Sequence, residues 1–146
     1  MVQKKQIHFY KKFEKFFIKK GNSRFSFDLI KKLIKFFSKK YKIRAVLLFS
    51  LIYTKLDSFI ELRKIKKKRR LSLVPFSIGR QRRIYLVLKV LKQSIFLDKR
   101  KISVFKKLRT EIFLLLFKED LSKSLKIRNE NLKTCLDNRS NIHFRW

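Results

Sequence analysis

Residues 63–83, RKIKKKRRLSLVPFSIGRQRR, hold the densest group of side chains able to bind a charged ligand. Seven of the first eight are basic, and a second cluster, Arg80, Arg82 and Arg83, closes the stretch. Between Leu62 and Leu97 the chain carries twelve basic residues and no acidic one. Each Lys or Arg that meets a phosphate releases counterions, so such a segment binds polyanions with a salt-dependent affinity. Arginine grips phosphate through a planar fork, and lysine acts as a point charge. A charge run by itself is as well explained by a solvated face or a nuclear address. Here alternating residues flank the run and the rest of the chain is basic too, which favours a ligand.

Catalytic groups are sparse. His8 and His143 are far apart and lack partner motifs, so neither is expected to bind metal or act as a general base. Cys135 stands alone, which excludes an intrachain disulfide and a cysteine-based zinc site. It reads as a small core residue. The ten acidic residues are scattered, and Glu111, Glu119, Asp120 and Glu130 read as local pairing partners in basic helices. There is no P-loop, dinucleotide fingerprint or nucleophile elbow. The expectation is a protein that is not an enzyme and needs no cofactor or metal.

At 146 residues with 45% hydrophobic side chains, one domain with a real core is expected. The net charge of +31 opposes compaction unless a polyanion offsets it. Nucleic acid and an anionic membrane surface are the two candidates. The longest apolar runs, AVLLF before Ser50 and IFLLLF at 112–117, fall far short of the roughly 20 residues of a membrane span. MVQKKQIHFYKK lacks the apolar region of a signal peptide. One alanine, two glycines and one proline stand against sixteen phenylalanines. That bias points to an A/T-rich coding sequence such as an organelle's, and a gene of balanced base composition would refute it.

The elements that must position the basic segment follow from periodicity. Phe9, Phe13, Phe16 and Phe17 recur at helical spacing over 9–20. Gly21-Asn22-Ser23 ends that helix and offers caps for the next. Over 26–42, Phe27, Ile30, Ile34, Phe37 and Tyr41 step by three and four, Leu29, Leu33 and Phe36 widen the stripe, and lysines lie opposite. Ser26 is a cap candidate there, and Asp28 suits the positive end of the helix dipole. RAVLLFSLIYT is apolar almost all round and reads as a central buried helix over 44–55, with a buried strand as the alternative. Then the period drops to two. Ile60 and Leu62 alternate with Glu61 and Arg63, and beyond the basic run Leu71 and Leu73 alternate with Ser72. Val74, Phe76 and Ile78 continue in the opposite phase, which predicts a bulge near Pro75. A β-arm over 58–78 results, with its tip near Lys66–Arg69. Helices are expected again over 80–96, 100–117 and 121–138. The last carries Leu121, Leu125, Leu132 and Cys135, interrupted by Arg128. Phenylalanines at this spacing pack cores; Phe144 and Trp146 fall outside any stripe.

The order of these parts resembles the bacterial and organellar family of the seventh protein of the small ribosomal subunit. The resemblance rests on Ile60-Glu61-Leu62-Arg63, Val74-Pro75-Phe76-Ser77-Ile78, Arg82-Arg83 opening the next helix, and His143-Phe144-Arg145-Trp146, where the family usually has H-Y-R-W. It spans about residues 9 to 146. It implies a mainly α fold, a six-helix bundle with a protruding two-stranded β-hairpin arm between the third and fourth helices. It also implies binding to the 3′ major domain of small-subunit rRNA, near the exit tRNA site and the mRNA path, among other proteins of the subunit head. The rRNA-binding residues would be Arg63, Lys64, Lys66, Lys67, Lys68, Arg69 and Arg70 on the arm. Arg80, Arg82 and Arg83 would add to them at the helix start, with Lys19 and Lys20 after the first helix and Arg145 in the terminal motif. The chain departs from the family at the arm tip, where Lys68 and Arg69 replace a Gly-Gly pair, and at Arg80, where proline is usual. The drift favours a mitochondrial genome, with a plastid second. The rival expectation is a cationic amphipathic protein of a membrane surface.

Overall fold

The computed structural model describes residues 2–18, 20–67 and 70–144; at 2–8, 67 and 70 it describes the backbone alone. Six α-helices appear among them: α1 Val2–Phe16, α2 Ser23–Tyr41, α3 Ala45–Leu56, α4 Arg80–Leu97, α5 Val104–Phe117 and α6 Lys123–Asp137. Two strands, β1 Ile60–Lys67 and β2 Arg70–Ser77, form an antiparallel hairpin between α3 and α4. Short 3₁₀ segments cover Glu119–Leu121 and Arg139–Phe144. The mainly helical bundle with an inserted β-arm is the architecture the sequence predicts.

The core is built from large side chains, because the chain has one alanine to let helices approach closely. Phe9, Phe13 and Phe17 of the first helix and its C-terminal turn are buried. Phe9, Tyr10 and Phe13 meet Phe49 of α3 edge-on, with ring centroids 6.1, 5.6 and 5.4 Å apart. That is the arrangement in which ring quadrupoles attract. On the other flank Tyr41 stacks obliquely with Phe113 and Phe117 of α5. Helix α3 packs against all five other helices, as expected of a central one. It is not apolar-buried all round, however. Leu48, Phe49, Ile52 and Leu56 face inward, and Val46 and Leu47 stay exposed where no neighbour covers the first turn.

Three further expectations are corrected. The buried face of α2 is Leu29, Ile30, Leu33 and Phe37; Phe27, which the stepwise pattern puts at its head, is exposed. Of the cap candidates for α2 it is Asn22, not Ser26, that serves: its Oδ1 accepts from the Phe25 amide at 3.1 Å. Ser26 lies inside the helix, buried, and donates to the Ser23 carbonyl. Helix α5 starts at Val104, because Ser103 caps it and residues 98–103 form the connection.

Buried polar groups tie the C-terminal helices together. Glu111 of α5 accepts from the Ser122 hydroxyl and from the Ser124 amide and hydroxyl at 2.8–2.9 Å. Those donors sit at the start of α6, where a carboxylate also suits the helix dipole. Lys55 of α3 donates to the Leu115 and Leu116 carbonyls at the end of α5 and pairs with Glu119 at 2.7 Å. Glu111 therefore joins α5 to the start of α6, and Glu119 reaches back to Lys55 of α3, rather than either pairing within its own helix.

Candidate nucleic-acid interface

The arm keeps one register throughout, from Ile60 opposite Ser77 to Lys67 opposite Arg70. The predicted bulge is absent. Pro75 sits opposite Leu62 in unbroken pairing, which a proline can do because both strands of a two-stranded ribbon are edge strands. The change of phase has another cause. Val74 and Pro75 point to opposite faces and both are buried, because α6 packs on β1 and the Arg139–Phe144 segment packs on β2. Farther out the ribbon is open, and Leu71 is exposed.

This register sorts the basic residues. Side chains alternate between faces, so Arg63 takes one face and Lys64 and Lys66 the other. Lys64 and Lys66 are exposed and form no ion pair among the described residues. Arg63 lies over the Phe76 ring at 5.2 Å, a cross-strand diagonal contact, and is only loosely paired with Glu61 at 4.0 Å. Lys67 and Arg70 face each other across the ladder by their backbones. Lys68 and Arg69, the connection between the strands, lie outside the described residues, as do Lys19 and Arg145. Lys20 and Arg80 are exposed, and among the described residues neither has an ionic partner. Lys20 adopts a left-handed backbone, φ 50°, just before Gly21 at φ 76°.

Arg82 and Arg83 are placed differently from the free arm cations. Arg82 donates from Nε and an Nη to the two carboxylate oxygens of Glu61 at 3.0 and 2.6 Å. Its guanidinium also lies 4.8 Å from the Tyr85 ring centroid. Arg83 forks onto Asp57, with Nε 2.8 Å from Oδ1 and an Nη against Oδ2. It covers the Phe59 ring at 3.9 Å. Arg128 of α6 donates to the Asp57 carbonyl at 3.0 Å. So α4, α6, the end of α3 and the base of β1 meet at two carboxylates. The arginines beside Glu61 hold its carboxyl below the usual range, chiefly through the Arg82 hydrogen bonds. Arg82 keeps an outer surface, with its side chain 47% exposed; Arg83 is largely enclosed.

Two more contacts brace the arm. Asn141 donates from Nδ2 to the Leu73 carbonyl at 3.0 Å. Cys135 is buried against β1, where a backbone hydrogen bond from Leu62 reaches its sulfur. Burial, with Glu61 nearby, pushes the Cys135 thiol up, so it stays protonated and inert at neutral pH. Sequence reasoning left Asp57, Glu61, Arg128 and Asn141 without roles. One signal was available for Asp57: a carboxylate at the C-terminus of a helix opposes the dipole and calls for an outside partner.

Among the described residues no group of His, Cys, Asp and Glu side chains could hold a metal ion. No described helix is long and apolar enough to cross a membrane. The arrangement is a ribbon with cations on both faces, fixed at its base by ion pairs and projecting from a helical body. No protein-family model matches the chain, and no curated protein matches it either.

Proposed function

We propose that this protein is a structural constituent of the small subunit of a mitochondrial ribosome. It binds the 3′ major domain of small-subunit rRNA and organises the head near the exit tRNA site and the mRNA path. The observation that carries the reading is the arm. Lys64 and Lys66, exposed without an ion pair among the described residues, and Arg63, only loosely paired with Glu61, stand on both faces of a ribbon narrow enough to enter a nucleic-acid groove. Its base is held by Asp57 and Glu61, so the cations are presented in a fixed direction. The proposed role is electrostatic and positional, with no chemical step. The resemblance of the arm, helix-opening and terminal motifs supplies the choice of rRNA domain, of neighbouring head proteins and of organelle, with a plastid as second choice.

The membrane-surface alternative needs a free apolar face to insert. Most of the apolar stripes of α1, with its C-terminal turn, and of α2, from Phe9, Phe13 and Phe17 to Leu29, Ile30, Leu33 and Phe37, are occupied by the core, which weighs against it. Ultraviolet crosslinking of the tagged protein in its organelle, with sequencing of the attached RNA, tests the proposal. Reads concentrated in the 3′ domain of small-subunit rRNA are expected. Reads scattered over unrelated RNAs, or binding to anionic vesicles without any RNA preference, would sink it.

A further inference from the structure

At the far end of α4 from the arm, four helix ends surround an apolar groove of about 240 Å³. Ile18 after α1, Phe25 of α2, Phe96 of α4 and Ile102 before α5 form its walls, all exposed, with Phe96 at 75%. Its floor is the core's own Phe17 and Ile95. From Arg82 to Phe96 along α4 is roughly 20 Å, so this surface and the arm base are separate. The surface of a chain at +31 has little reason to leave apolar side chains grouped, and grouped exposed apolar residues with a polar rim mark interaction sites.

The rim says what covers it. Lys92 and Lys107 line the groove, and among the described residues neither has a carboxylate partner. Lys92 donates to the Phe16 carbonyl at 3.4 Å and Lys107 to the Asp98 carbonyl at 2.5 Å, so each ammonium is held beside the groove with donors to spare. The Asp98 carboxylate is turned to Arg100 and Lys123. A second copy of the chain would bring its own large positive charge against this rim. An extruded RNA base carries donors and acceptors on its edges, and this lining offers those edges only two ammoniums. The volume is below the about 300–1,000 Å³ of small-molecule pockets, and suits one or two anchoring side chains of a protein interface.

We propose that this groove docks a segment of another protein whose apolar anchor residues are flanked by carboxylates. The anchors fill the space between Phe25, Phe96 and Ile102, and the carboxylates meet Lys92 and Lys107. The site shares no residue with the arm, so a partner can sit here while the arm holds its polyanion, and the inference does not depend on the rRNA reading.

The test uses the full chain in its native cell, with a benzophenone-bearing phenylalanine in place of Phe96, irradiated so that neighbours are covalently captured. A captured protein segment carrying apolar residues between Asp or Glu is expected. A synthetic peptide of that segment is then titrated against the purified chain by fluorescence anisotropy. Phe96→Ser with Ile102→Ser should weaken it about tenfold or more, and Arg63→Gln, Lys64→Gln, Lys66→Gln should change it less than about twofold. If the double variant loses helical circular dichroism, Phe96→Ser alone, a surface change, gives the same reading. Capture of RNA, of lipid, of a basic segment or of nothing overturns the proposal, as does a peptide that binds the groove variants as tightly as the original.

Discussion

Arg83 of α4 grips Asp57 at the end of α3 with a two-pronged contact, and the same guanidinium lies flat over Phe59, the residue that leads into the arm. One side chain therefore ties the bundle to the base of the ribbon. Both partners are mostly enclosed, so losing either one leaves a charge with poor solvation. Asp57→Asn and Arg83→Gln should each cost about 2 kcal/mol of stability, and the double change less than their sum. Urea denaturation of the four proteins in a double-mutant cycle measures the coupling. Strict additivity would show that the pair fixes nothing.

The exposed arm cations give a different signature. On the proposed reading, replacing Arg63, Lys64 and Lys66 by Gln would remove three phosphate contacts. The slope of log affinity against log salt should then fall by about 2 to 3 for an rRNA 3′-domain fragment. The matching change at Lys31, Lys32 and Lys35, exposed on α2 away from the arm, should leave that slope nearly unchanged. Equal effects of the two triple variants would mean diffuse charge binding rather than an arm site.

Acid should unfasten the other clasp. Glu61 has its carboxyl lowered from 4.5 by the Arg82 hydrogen bonds, and Arg82 stays charged throughout. A lowered folded value means the contribution is fully present above about 4.5 and disappears as pH falls through the lower folded value. The stability difference between the original protein and Glu61→Gln should therefore be constant from pH 7 to about 5 and close only below that. A difference that already shrinks between pH 7 and 5 would contradict the assignment.

The end of α2 carries a lysine where helices favour glycine. Lys42 is left-handed at φ 55°, and its amide closes on the Ser38 carbonyl at 3.1 Å. Lys42→Gly should stabilise the chain by about 1 kcal/mol, because an L-residue is strained there. Gly21→Ala should do the reverse by a similar amount, since Gly21 has φ 76° and a methyl group there would touch nothing. Thermal unfolding of both variants checks the pair; a stabilising Gly21→Ala would refute the reading.

How much of this was legible from the residues depends on which contacts decide them. Helix spacing in α4 and the period of two at Ile60–Arg63 are local patterns, and the bundle with its arm follows from them. The phase change at Val74 looked like a bulge because only one covered face was assumed; α6 and the Arg139–Phe144 segment cover two. Phe27 and Leu29 are both apolar, and nothing in their spacing says that the neighbouring helices bury Leu29. The basic residues of the arm were visible as charge. That Lys64 is free while Arg83 is tied depends on carboxylates brought near only by folding, 26 positions away in the case of Asp57.

The Asn141 contact spans 68 positions of sequence to reach Leu73. A ribosome making this chain completes both strands of the arm long before it adds the segment that braces them. Through that interval the hairpin is held by its Asp57–Arg83 and Glu61–Arg82 clasps alone, without the cover of α6 or the Asn141 brace. The full set of contacts that aims the ribbon is thus completed only once α6 and the Arg139–Phe144 segment have been added.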